Sequence, residues 1–125
     1  MSKVPPLIAV VDDDKSLGKA LGRLLRSAGF NVETFVSGSE FLKSLEDHTP
    51  DCVVLDLQMP QVDGFEVQSR LAQTSVPVPV VVITGWDTPR AFERAMEGGA
   101  IAYLRKPVDE KVLLDAVVIA IDGVH

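Results

Sequence analysis

Five polar side chains stand out because each lies at, or just beyond, the end of a short apolar run: Asp12, Asp13, Asp56, Thr84 and Lys106. Carboxylates that lie close together repel one another, which raises their pKa unless a cation joins them. A few carboxylate oxygens suit Mg²⁺, which keeps several waters and often bridges to phosphate. A lysine can neutralise one phosphate oxygen, and a threonine hydroxyl can donate to another. If these side chains meet, they make a site for a phosphoryl group on a carboxylate, where catalysis is mainly positioning and charge neutralisation.

The apolar runs before these side chains have the length and the β-branched composition of buried strands. They are Leu7–Val11, Cys52–Asp56 and Val80–Thr84, of which Cys52–Asp56 is predicted to be the central one. Asn31–Phe35 is less apolar and is predicted to be a strand nearer the edge of the sheet. Residues 100–104 are predicted to form a fifth strand, which places Lys106 just beyond its end.

Residues with helical periodicity separate these strands. The first helix is indicated by apolar residues at helical spacing, with Asp14 or Ser16 as the N-cap and Gly29 as the end. Further helices are predicted to begin near Ser37, after Gly64, at Pro89 and at Asp109. Five alternations of strand and helix predict a parallel sheet with helices on both faces and right-handed crossovers.

The carboxyl edge of such a sheet is where ligands bind. Each polar residue has an ordinary explanation by itself, for example a solvated helix start for Asp12 and Asp13, or a turn aspartate for Asp56. Because all of them are predicted to lie at this one edge, we interpret them as a single site. The sequence therefore predicts the convergence of the five side chains.

Composition bounds the class of protein. A chain of 125 residues with 46% hydrophobic residues predicts one domain, residues 1–125, with a full core. A net charge of −6 and a pI near 4.8 argue against nucleic-acid binding by this domain. Cys52 is the only cysteine and is predicted to be a small buried hydrophobe. Met1 to Pro6 lacks the apolar region of a signal peptide, and no run approaches the ~20 apolar residues of a membrane span, so a cytoplasmic location is expected.

Several short motifs occur together in this order: Asp12-Asp13, Asp56 with Met59-Pro60 and Asp63-Gly64, Thr84-Gly85, and Lys106-Pro107. Over almost the whole chain they resemble the receiver domains of response regulators in two-component signalling. Residues 81–85 and 99–107 resemble the receivers of nitrogen-fixation and nodulation regulators, which usually precede a helix-turn-helix DNA-binding domain. The resemblance implies an α/β fold, a single doubly wound, flavodoxin-like (βα)5 domain with a five-stranded parallel sheet.

The resemblance also assigns roles at the acidic site. It implies that Asp56 is the phospho-acceptor. Asp13 and Asp56 are expected to bind Mg²⁺ directly, together with the backbone carbonyl of Gln58, while Asp12 acts through a water. Gln58 is also one of the positions where the family tunes the lifetime of the phosphoryl group.

Further roles follow for the neighbouring strands. Thr84 and Lys106 are expected to contact the phosphoryl oxygens, and Tyr103 matches the aromatic switch position of the family. The Lys106–Pro107 bond is expected to be cis. Trp86, the second tuning position, has two alternatives that stay open: it restricts the attacking water, or it points to solvent.

The function implied is phosphorylation of an aspartate by a sensor histidine kinase, followed by a change in an output surface that regulates transcription. Such a domain promotes its own phosphorylation and dephosphorylation but has no separate substrate, so it is not expected to be an enzyme. The implied partners are the kinase, an output domain or partner protein, with a DNA-binding domain as one candidate, and a second copy in a phosphorylation-dependent homodimer. No direct contact with nucleic acid or with a membrane is expected.

Two alternatives were weighed against this function. A pseudo-receiver would bind partners without accepting phosphate, but the acceptor set is complete. A phosphatase or phosphotransferase with an aspartate nucleophile would need a second aspartate two residues after Asp56, where this chain has Gln58.

Overall fold

The computed structural model describes residues 4–123, so the first three residues of the Met1-to-Pro6 segment lie outside it. Strands and helices alternate along the described chain. The strands are β1 (Leu7–Val11), β2 (Asn31–Phe35), β3 (Cys52–Asp56), β4 (Val80–Thr84) and β5 (Ala102–Arg105). The helices are α1 (Lys15–Ser27), α2 (Gly38–Ser44), α3 (Gly64–Ala72), α4 (Pro89–Glu97) and α5 (Glu110–Asp122).

The strands form one parallel sheet in the order β2-β1-β3-β4-β5. This confirms the predicted α/β fold, the edge position of β2 and the central position of β3. Val11 pairs with Leu55, and Asp56 pairs with Ile83 on the next strand. The carboxyl ends of β1, β3 and β4 therefore lie side by side, as the sequence predicted.

The core has two layers because alternate residues of each strand point to opposite faces. On one face, Leu55 and its counterparts pack against α2, α3 and α4, with Phe41 and Val67 fully buried. On the other face, Val54 and its counterparts pack against α1 and α5. Cys52 is fully buried, and burial raises the pKa of its thiol to about 12, so it is the inert core residue that was predicted.

Each helix in the described range begins at a residue whose side chain accepts a hydrogen bond from the backbone three positions on. Such a cap satisfies one of the free N–H groups of the first turn. For α1 the cap is Asp14 and not Ser16, because Asp14 Oδ1 accepts from Leu17 N at 3.1 Å. The remaining caps are Ser37, Asp63, Thr88 and Asp109.

The predicted bounds of the fifth strand were wrong. The sequence predicted residues 100–104, whereas β5 is Ala102–Arg105. Ala100 lies in the turn that caps the carboxyl end of α4. Its N–H donates to the carbonyl of Ala95 at 3.1 Å, after Gly99 in the left-handed conformation. As a result, Lys106 follows the strand directly.

None of the helices within residues 4–123 combines the length and the apolar character that a membrane crossing requires.

Gly64, the first residue of α3, is predicted to tolerate no side chain. A Cβ there would lie 2.5 Å from the carbonyl oxygen of Asp56 and 2.7 Å from Leu57 Cα. Since both contacts are with backbone, Gly64→Ala should lower the free energy of unfolding by about 1–3 kcal/mol in urea denaturation. Gly18→Ala is the matched control, because nothing lies within 4 Å of its Cβ and alanine favours a helix by about 0.5–1 kcal/mol. An equal loss in both variants would contradict this.

Candidate functional site

The carboxyl end of β1 presents two aspartates in different environments. Asp12 is buried, and its Oδ1 accepts from the N–H of Asp14 at 2.8 Å, which fixes the carboxylate. Its Oδ2 lies 3.0 Å from Lys106 Nζ, an ion pair between β1 and the residue after β5. Asp13 is exposed, so its carboxylate stands at the rim of the site.

Asp56 ends β3 between these groups and is only 2% exposed. Its Oδ1 lies 3.5 Å from Lys106 Nζ, and the N–H of Gln58 approaches the same oxygen at 3.4 Å. One ammonium therefore faces two buried carboxylates. The backbone N–H of Lys106 donates to Thr84 O at 2.8 Å, which ties this residue to the end of β4.

The charges of the site do not balance without a further cation. Burial, followed by repulsion from Asp12, raises the pKa of Asp56 to about 7, although Lys106 and the Gln58 N–H act in the opposite direction. Burial would lower the pKa of Lys106, but the two carboxylates outweigh it and raise that pKa. The site holds more negative charge than one lysine neutralises.

The residues at this edge fit a hard divalent cation. Asp12, Asp13 and Asp56 each offer one carboxylate oxygen, and these oxygens all lie within 4.8 Å of one another. Such an oxygen donor set, open to solvent at Asp13, suits Mg²⁺ with several of its waters retained. Gln58 is exposed beside the cluster, and the role of its carbonyl as a ligand stays a prediction.

Thr84 ends β4 at the same edge of the sheet and is fully buried. Its hydroxyl is occupied within its own loop: Oγ1 accepts from Trp86 N at 2.9 Å and donates to Trp86 O at 3.1 Å. The predicted contact between Thr84 and a phosphoryl oxygen therefore requires the release of the Trp86 carbonyl.

Tyr103 on β5 points toward the loop after β4 and not toward the cluster of Asp12, Asp13 and Asp56. Its hydroxyl donates to Asp87 Oδ1 at 3.0 Å, and its ring packs edge-on against Phe92, with centroids 5.1 Å apart. The other oxygen of Asp87 lies 2.8 Å from Arg105 Nε. Burial, followed by the hydrogen bond to Asp87, raises the pKa of Tyr103 to about 12, so its hydroxyl keeps its proton.

Sequence reasoning missed Asp87 and Arg105. Tyr103 and Arg105 are two residues apart on one strand, a spacing that puts both on the same face of the sheet. That spacing could have indicated a shared partner. The identity of the partner, a loop residue 16 positions before Tyr103, had no signal in the sequence.

Trp86 is half exposed at the side of the site. It lines two adjoining cavities of about 250 and 460 Å³, both of which also contact Phe65 and Arg94. The larger cavity reaches Gln58, so the two positions expected to tune phosphoryl lifetime lie beside one another. The Lys106–Pro107 peptide bond is cis, as the resemblance implied.

The protein-family model of the response regulator receiver domain matches residues 8–118 of this chain. The chain belongs to this family. The strand ends, the carboxylate cluster and Lys106 that define the site all lie within the matched range.

Curated relatives agree with the resemblance to nodulation regulators. Nodulation protein W of Bradyrhizobium diazoefficiens is 40% identical over 114 residues, which cover 91% of this chain and 50% of that protein. Response regulator protein TodT of Pseudomonas putida is 36% identical over 118 residues, covering 94% of this chain and 52% of that protein. This receiver domain thus spans about half the length of the curated relatives it matches.

Solved structures share the fold. The response regulator receiver protein from Burkholderia phymatum is 48% identical with a TM-score of 0.80, and the match covers 96% of this chain and 97% of that one. Response regulator StyR is 42% identical with a TM-score of 0.83, covering 96% of this chain and 61% of that one. A CheY-like receiver from Methanospirillum hungatei reaches a TM-score of 0.91 over 96% of both chains at 23% identity, which supports the fold alone.

The pKa of Asp56 predicts how metal-free stability depends on pH. Its native pKa near 7 lies above the unfolded value of 3.8, so the native state holds the extra proton between these values. The contribution of Asp56 to the free energy of unfolding is therefore greatest below about pH 4 and is lost as pH rises toward 7. In the presence of a chelator, the free energy of unfolding of Asp56→Asn should therefore exceed that of wild type increasingly as pH rises through this range. The difference should reach about 2–4 kcal/mol at most.

The measurement is urea denaturation of both proteins from pH 5 to pH 8, with and without Mg²⁺. Since Mg²⁺ binds the charged native site, it should stabilise wild type at high pH. It should thereby reduce the difference in free energy of unfolding between Asp56→Asn and wild type. Asp13→Ala should weaken that response to Mg²⁺. A gap that is independent of pH in chelator would contradict the charge imbalance described for this site.

Proposed function

We propose that this receiver domain accepts a phosphoryl group on Asp56 from a sensor histidine kinase, in a two-component phosphorelay that depends on Mg²⁺. The observation that carries the proposal is the surrounding of Asp56. A buried carboxylate ends the central strand, with the Lys106 ammonium 3.5 Å away and two further aspartates within reach of a shared cation. With a divalent cation held by these carboxylates, the cation and Lys106 together could neutralise the charge of a phosphoryl group on Asp56.

In this mechanism Asp56 attacks the phosphorus of a phosphohistidine. The Asp56 Oδ–P bond forms as the P–N bond breaks, and the imidazole leaves. Asp12, Asp13, Asp56 and the Gln58 carbonyl would hold Mg²⁺, which when bound neutralises phosphoryl charge. Lys106 neutralises a phosphoryl oxygen, and its ion pair with Asp12 holds the ammonium in the site.

The domain then loses the group by hydrolysis, so it promotes both steps on itself without a separate substrate. Gln58 and Trp86 line the same cavity, which fits the proposed role of both residues in phosphoryl lifetime. We further propose a cytoplasmic location, supported by the composition of the chain and by its family.

The signal would leave through α4, β5 and α5. Thr84 turns from the Trp86 carbonyl to a phosphoryl oxygen, and Tyr103 responds on the adjoining strand. This face carries exposed apolar side chains, among them Phe92, Met96 and Ile119, which suit a second copy of the domain or an output domain. Because the relatives are about twice as long, we propose that a DNA-binding output domain acts with this receiver to regulate transcription.

Stoichiometric phosphorylation is expected. Incubation with acetyl phosphate and Mg²⁺ should add one phosphoryl group, detected by intact mass, because a small donor needs only the acceptor site. Asp56→Asn should abolish the addition, and chelator should suppress it. Asp47→Asn, which removes an exposed carboxylate on a distant loop, is the matched control and should be labelled like wild type.

The outcomes separate the alternative functions. Labelling of Asp56→Asn at the wild-type rate would contradict the acceptor assignment. Absence of labelling in wild type, with Mg²⁺ still binding, would favour a pseudo-receiver. Turnover of free phosphate esters without a stable adduct would favour an aspartate-nucleophile phosphatase.

A further prediction concerns the output face formed by α4, β5 and α5. Beryllium fluoride with Mg²⁺, a mimic of the phosphoryl group, should change amide exchange in α4 and β5 and increase the mass in sedimentation. The reason is a population shift between two arrangements of this face. Tyr103→Ala should still be phosphorylated but should lose part of the change. Unaltered sedimentation and exchange with the mimic bound would contradict it.

A further inference from the structure

Asp87 is anchored to β5 through both of its carboxylate oxygens. Oδ1 accepts from the Tyr103 hydroxyl at 3.0 Å, and Oδ2 pairs with Arg105 Nε at 2.8 Å. The two partners lie two residues apart on the same strand, so they grip one side chain from one side. The Asp87 side chain is about one-third exposed, which leaves these contacts only partly screened by solvent.

The position of Asp87 in the chain connects three parts of the receiver. Before it, the Trp86 backbone holds the Thr84 hydroxyl through two hydrogen bonds. After it, Thr88 Oγ1 accepts from Ala91 N at 3.0 Å and so caps α4. Any displacement of Asp87 relative to β5 therefore moves the loop that occupies Thr84 and the start of α4.

Engagement of a phosphoryl group opposes this arrangement. For Thr84 to donate to a phosphoryl oxygen on Asp56, its hydrogen must leave the Trp86 carbonyl. The Trp86 N–H can still donate to Thr84 Oγ1, so a movement of Thr84 draws Trp86 with it, while the next residue is held by Tyr103 and Arg105. The response thus competes with the two contacts of Asp87.

We propose that Asp87 is a positioning residue that holds the loop between β4 and α4 in its resting arrangement, and thereby sets how readily phosphorylation switches this receiver. The inference rests on the proposed function, since it presupposes that Asp56 takes a phosphoryl group. Asp87 itself lies outside the cluster of Asp12, Asp13 and Asp56. It acts through Tyr103, Arg105 and the loop.

Thermodynamic linkage gives the direction of the effect. A ligand that favours the switched arrangement binds more tightly when the resting arrangement loses a contact specific to it. An exposed ion pair adds little, while a hydrogen bond to a charged acceptor adds more. We therefore expect Asp87→Ala to tighten the apparent binding of the mimic about 3- to 10-fold.

The experiment titrates beryllium fluoride at fixed Mg²⁺ and follows the bound fluoride by fluorine NMR. Wild type, Asp87→Ala and Asp115→Ala are compared. Asp115→Ala is the matched control, because it removes the same charge from an exposed ion pair with Lys111 on α5, away from the loop. Tighter binding in Asp87→Ala alone supports the proposal, and tightening of the same size in both variants overturns it as a general charge effect.

A mutant cycle separates positioning from a merely structural role. Tyr103→Phe removes only the hydroxyl and Arg105→Gln removes the ion pair, so each should tighten binding less than Asp87→Ala. In the background that carries both, Asp87→Ala should add no further tightening. Additive effects would overturn the proposal, because Asp87 would then act through other contacts. If Asp87→Ala fails to fold, Tyr103→Phe and Arg105→Gln carry the same test, and their failure to tighten binding overturns it.

A second readout is amide exchange of residues 85–88 in the absence of the mimic. It should be faster in Asp87→Ala than in Asp115→Ala, and equal rates would count against the resting hold. Absence of mimic binding in wild type would instead contradict the proposed function. Mimic binding in wild type that is unchanged or weaker in Asp87→Ala overturns only the role of Asp87.

Discussion

The site depends on one electrostatic constraint, which is that a single ammonium faces two buried carboxylates. Lys106 lies 3.0 Å from Asp12 and 3.5 Å from Asp56, while Asp13 adds a third negative charge at the rim. Burial of charge is unfavourable unless it is paired, so the site is left with a demand for a further cation. The same imbalance that raises the pKa of Asp56 thus makes the edge receptive to Mg²⁺ and, with it, to a phosphoryl group.

The topology of the parallel sheet brings these charged side chains together. Because β1, β3 and β4 run in one direction and in register, their ends deliver Asp12, Asp56 and Thr84 to adjacent positions. The core residues behind them are apolar on both faces, which keeps the carboxylates away from solvent. Because Gly64 has no side chain, α3 begins in close contact with the backbone of Asp56 at the end of β3.

A second network runs beside the first and uses different chemistry. Thr84 is held by the Trp86 backbone, and Asp87 is held by Tyr103 and Arg105. These contacts are individually modest, and those of Asp87 lie at a partly exposed surface, in contrast to the buried ion pairs. Modest contacts suit a switch, because a population shift of practical size requires that the two arrangements differ by only a few kcal/mol. The buried charges therefore define the site, and in our proposal the weaker loop contacts set how readily it switches.

The sequence by itself determined the parallel α/β fold, the bounds of β1, β2, β3 and β4, and the convergence of the acidic and basic residues. These follow from apolar periodicity and from the rule that parallel strands end at one edge, both of which are local or topological. Tertiary structure alone decided the β5 bounds, the Asp14 cap over Ser16, and the partners of Thr84, Tyr103 and Asp87. A side-chain hydrogen bond forms only when donor and acceptor are placed to within a few tenths of an ångström. This holds within a loop, as for Thr84 and Trp86, and between separate segments, as for Tyr103 and Asp87, and residue spacing alone does not specify that placement.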